Sequence, residues 1–158
     1  MDLQDSFLKV FEGEDDVGVV IRSHIIIEQQ LNILLSKLVV SEKHLLQMRL
    51  GYSETVKLAI SLGLNSKFDI PLTTLGTLRN KFAHELRPSI SKADVNNLYN
   101  SLEGAEKATL NSLVKEVGLE MEAPIAHKKL SPKQQYVNIV ILLATALQKG
   151  ISEATNET

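Results

Sequence analysis

The chain has no cysteine and no tryptophan, and only 4% of its residues are aromatic. Without cysteine there are no disulfides, thiolate zinc sites or thiol nucleophiles. This composition fits a reducing compartment, and a cytoplasmic protein is expected. So few aromatic rings supply poor stacking platforms for bases. No charge of one sign dominates, because the formal net charge is −2. A global polyanion-binding surface is not implied, and any nucleic-acid contact must come from a local patch. The N-terminal Met1-Asp2-Leu3-Gln4-Asp5 lacks the basic-then-apolar order of a signal peptide. The apolar runs are broken by polar residues, so no membrane span is expected.

What is present is leucine, isoleucine, valine and alanine at helical spacing. The 158 residues fit a single domain spanning 1–158, all-α and bundle-like, with 152–158 as a flexible polar tail. Leu3, Phe7, Val10 and Phe11 suggest a short opening helix. From about 17 to 40 runs a long, mostly apolar helix expected at the centre of the fold, with Val20, His24, Ile27, Leu31, Leu34 and Leu38 along one stripe and Glu28 on its flank. Residues 41–51 read as irregular or weakly helical. A short helix follows from Ser53, stopped at Gly63-Leu64-Asn65. The next opens near Asp69, a candidate N-cap, with Pro71 in its first turn, and Pro88 prevents its continuation. Ser91 opens another helix, and an amphipathic stretch covers about 105–117. A connection with Pro124 leads to Ser131-Pro132-Lys133-Gln134, a capping-box start for the final helix.

No strand followed by a glycine-rich loop appears, so the common nucleotide-binding folds are unlikely. No His-Glu-x-x-His or acidic calcium loop appears, and neither metal nor cofactor is expected. His24, His44 and His127 are scattered and read as surface or packing residues. The segment that stands out is Leu78-Arg79-Asn80-Lys81-Phe82-Ala83-His84-Glu85-Leu86.

Arg79 and His84, separated by four residues and with Asn80 directly after the arginine, resemble the signature of the HEPN superfamily of helical domains. A longer likeness covers about 15–100. Ile27-Glu28-Gln29-Gln30-Leu31 in the long helix, Ser53 to Leu64 ending in Ser-Leu-Gly-Leu, and Leu75 to His84 ending in Arg-Asn-Lys-Phe-Ala-His are similar to the mannitol operon repressor-like family. That resemblance implies an all-helical regulator acting through other proteins rather than by reading DNA. The HEPN resemblance implies a metal-independent, toxin-like ribonuclease. In it His84 would be the general acid/base, Arg79 the phosphate clamp and Asn80 a positioning group.

Two roles therefore compete for the segment. In the structural or recognition role, Arg79 sits on the apolar stripe between Leu75 and Phe82 and pairs with a carboxylate, for which Glu28 is the candidate. His84 then serves the C-terminal end of its helix. The catalytic role is weakened because Glu85 and Asp94 partly cancel Lys81, Arg87 and Lys92, whereas a nuclease favours a positive rim. A second small basic group, Lys128, Lys129 and Lys133, reads as a solvated linker and helix start. The preferred expectation is a regulatory interaction module that partners another protein and itself, as a homodimer. RNA is a ligand only in the ribonuclease alternative. No sequence-specific DNA binding is expected, since no helix-turn-helix with a basic recognition face is apparent.

Overall fold

The computed structural model describes residues 7, 9, 11–86, 89–117 (side chains only to 112) and 127–157. Among them are seven α-helices and no strand: α1 Asp16–Leu38, α2 Glu42–Gln47, α3 Tyr52–Ser61, α4 Asp69–His84, α5 Lys92–Asn100, α6 Gly104–Val117 and α7 Pro132–Asn156. Leu3, Val10, Arg87, Pro88 and the 118–126 connection, all used in the sequence reading, lie outside the described residues.

Helix α1 begins where Asp15 accepts the Gly18 N–H at 2.8 Å, satisfying one of the orphan donors of the first turn. Its stripe is buried as expected: Val20, His24, Ile27, Leu31 and Leu34 all face the interior. Its main partner is α7, while α3 and α4 cover its other side. Buried leucine, isoleucine and valine side chains of this kind contribute about 1.5–3 kcal/mol each, so the α1–α7 seam is the principal source of cohesion. One polar link crosses it. Ser23 Oγ lies 2.7 Å from Tyr136 Oη and 3.0 Å from the Val20 carbonyl. Because the serine proton goes to that carbonyl, the tyrosine is the donor between them.

The capping boxes at Ser91–Asp94 and Ser131–Gln134 form with both reciprocal hydrogen bonds. Residues 42–47, within the stretch read as irregular or weakly helical, form a six-residue helix. Two expectations are corrected. Asp69 is not an N-cap but the first residue of α4, because its carboxylate is held by Lys57 Nζ at 2.7 Å. The polar end read as a flexible tail is helical through Asn156, with Ala154 buried. Helix α7 is long and apolar enough by length and composition to cross a membrane. No charge interrupts it between Lys133 and Lys149, and half of its most apolar window is buried in the protein, as in a core helix.

Helix α3 ends in a Schellman motif. Leu64 N–H donates to Ala59 O at 2.9 Å and Gly63 N–H to Ile60 O at 3.2 Å, with Gly63 at φ +123°. A Cβ at Gly63 would touch nothing within 4 Å, so only backbone strain opposes substitution. Gly63→Ala is expected to lower stability by about 1–2 kcal/mol, read as a shift in the urea midpoint without a change in slope.

Candidate functional site

The hexapeptide lies on α4, which stays helical to His84. Glu85 N–H still donates to Lys81 O at 2.9 Å, and the chain leaves the helix through Leu86 at φ +49°. Leu75, Leu78 and Phe82 are buried, and they fix which way the helix faces. Arg79, one turn beyond Leu75, is half-buried at the edge of this stripe, whereas Asn80 and His84 are exposed.

Gly76 lets the start of α3 come close. A Cβ there would lie 2.6 Å from Tyr52 Cε1, so the tyrosine ring occupies the volume a side chain would need. The ring is anchored at its far end, where Tyr52 Oη donates to Leu72 O at 2.7 Å. On its other side stands His24 of α1, with ring centroids 4.3 Å apart and the planes tilted by 47°. These three helices border a half-open pocket of about 360 Å³, lined among others by His24, Tyr52, Gly76, Thr77, Arg79 and Asn80.

Burial, aided by the neighbouring Arg79 charge, pushes the His24 pKa down to about 4. His24 is therefore a neutral imidazole at neutral pH, a hydrogen-bonding group rather than a charge carrier. Burial, with smaller contributions from Tyr136 and Glu28, pushes the Tyr52 phenol up, so it stays protonated and keeps its bond to Leu72. Arg79 Nη1 donates to Asn80 Oδ1 at 3.1 Å.

No family model, curated protein or solved structure matches this chain.

The structure separates the expected site residues. Arg79 and Asn80 line the pocket, but His84 does not. Five residues along a regular helix turn a side chain by roughly 140° from its starting direction, which carries His84 away from Arg79. Among the described residues, no ion pair joins Arg79 to Glu28. Glu28 Oε2 instead lies 4.0 Å from His24 Nδ1. A half-buried guanidinium keeps part of its water and does not require a carboxylate, which accounts for the missing pair. His84 occupies the last turn of α4, where a donor or cation favours the helix C-terminus.

His24 and Tyr52 were not read as site residues from the sequence. The available signal was Gly76, a glycine inside a helical pattern, which often marks the close approach of another group. His127 is buried and stacked on Tyr99 at 5.2 Å, neither ring nitrogen has a hydrogen-bond partner among the described residues, and burial lowers its pKa. His44 is exposed, 2.6 Å from Ser41 Oγ. Among the described residues no group of three or more histidine, aspartate or glutamate side chains is placed to hold a metal ion.

Proposed function

We propose that this chain is a cytoplasmic regulatory interaction module of the mannitol operon repressor-like kind. In this reading it acts in transcription through a protein partner and as a homodimer, not by reading DNA or cutting RNA. The observation that carries the proposal is the division of the hexapeptide. Arg79 and Asn80 turn toward His24 and Tyr52, and His84 lies outside that pocket. Metal-independent RNA cleavage needs a proton-transfer group and a phosphate clamp at the same phosphodiester, within hydrogen-bond reach of the reacting atoms. Within one copy, Arg79 and His84 diverge. The large apolar side chains exposed along α1 and α2, Ile25, Ile33 and Leu46, suit contact with another protein better than contact with a polyanion.

Purified protein incubated with single-stranded RNA in chelator is expected to leave the RNA intact, and His84→Ala is expected to change nothing. Cutting by the natural chain that disappears in a folded His84→Ala variant would replace this reading with the ribonuclease. Cells lacking the chain should show altered levels of particular transcripts. Gel shifts at moderate salt should show no sequence-selective duplex complex, and such a complex would indicate a direct repressor. Sedimentation should give twice the mass of one chain.

A further inference from the structure

We propose that the pocket between α1, α3 and α4 is a binding site for a compact organic monoanion bearing hydroxyl groups, its oxyanion head held by Arg79 and Asn80 and its body lying over the Tyr52 and His24 rings.

The head-group assignment follows from donor accounting. Among the described residues Arg79 has no ion-pair partner and uses one N–H, toward Asn80 Oδ1. Arginine only donates, so the asparagine must turn its oxygen to it. The Asn80 NH₂ therefore remains a donor, alongside the remaining guanidinium N–H groups. A carboxylate or phosphate oxygen pair matches that fork.

A second, independent feature points into the same space. His24 is only 4% exposed, yet its ring makes no hydrogen bond among the described residues, and Glu28 at 4.0 Å is too distant to supply one. It lines the pocket, where a neutral imidazole offers one donor and one acceptor to a polar ligand. Tyr52 has committed its hydroxyl to Leu72, so it offers the ligand mainly its ring. Thr77 has committed its proton to the Thr73 carbonyl at 3.1 Å and retains acceptor capacity, suited to a ligand hydroxyl.

The lining also limits charge and size. Glu54, exposed, lines the same pocket, where a single arginine is the only cation among the lining residues; its carboxylate disfavours a second negative charge and can accept from hydroxyls. The volume of about 360 Å³ suits a small molecule and is too small for a polynucleotide or a helix. This site stands whether or not the chain regulates transcription, because binding is read directly.

The test is a titration of the full ¹⁵N-labelled chain with sodium gluconate, acetate and inorganic phosphate at constant ionic strength, with sodium chloride as the control. Saturable shifts are expected at the Gly76, Thr77 and Asn80 amides, strongest for gluconate. Acetate and phosphate separately report which head group is taken. Arg79→Met should weaken gluconate binding by about tenfold or more, since it removes charge-assisted hydrogen bonds. Lys81→Gln, on the exposed face of the same helix, should leave binding unchanged. Absence of saturable shifts with all three anions would overturn the proposal. So would equal affinity in Arg79→Met, or in Arg79→Lys if the methionine variant does not give a folded spectrum.

Discussion

Acidification from pH 6.5 to pH 4 is expected to remove about 3 kcal/mol of stability through His24 alone. In the folded chain its pKa lies at about 4, against 6.5 for an unperturbed histidine. Between those values the unfolded chain binds the proton and the folded chain excludes it. Stability therefore falls by about 1.4 kcal/mol for each pH unit lost, and the loss levels off below the folded pKa. Well above pH 6.5 both states are neutral and the group contributes no pH dependence. The cause is burial of the ring between α1 and Tyr52, aided by the Arg79 charge, which repels an imidazolium. Glu28 faces the same ring, but at 4.0 Å and with a side chain 39% exposed it is well hydrated and compensates little. Urea midpoints of the natural chain and of His24→Asn, measured across this range, isolate the contribution from that of the carboxylates. Parallel pH dependences in the two proteins would show that His24 takes up its proton without penalty. His127, also depressed by burial, acts in the same direction, and its contribution remains in the His24→Asn background.

The Gly76–Tyr52 contact gives an effect that should reverse sign. Gly76→Ala places a methyl 2.6 Å from the Tyr52 ring, so the ring must move and strain its bond to Leu72 O. Overpacking of this kind costs about 1–3 kcal/mol, while the better helix propensity of alanine returns about 1 kcal/mol. A net loss of up to about 2 kcal/mol is expected. The three side-chain atoms nearest the added carbon all belong to the Tyr52 ring. In a Tyr52→Ala background the same substitution should therefore stabilise, by up to about 1 kcal/mol. Urea unfolding of the four proteins completes the cycle. A loss of equal size in both backgrounds would mean that the tyrosine is not what requires the glycine.

Several elements were legible because their signals are local. The stripe from Val20 to Leu34 has a helical period and is buried. Ser91 and Ser131 carry their capping partners three residues away and form both boxes. Gly63 ends α3 in the backbone conformation that favours glycine. Asp69 misled because a carboxylate near a helix start has two uses, capping its own helix or pairing with a lysine elsewhere, and Lys57 took it. The polar composition of 152–156 suggested a tail. Exposed residues such as Glu153 and Thr155 can instead occupy the outer face of a helix whose inner face buries Ala154.

The sequence by itself determined where most of the helices lie and how those opened by Ser91 and Ser131 are capped, and that Arg79, Asn80 and His84 share one helix with Leu75 and Phe82. Periodicity and capping act within a few residues, so one chain segment contains the whole cause. Only the tertiary structure decided what Arg79 meets. Tyr52, entering beside Gly76, packs its ring against His24 of α1, and that imidazole lines the same pocket as the arginine. Burial and neighbouring charge are properties of that non-local packing. They made His24 the imidazole of the pocket and left His84 outside it.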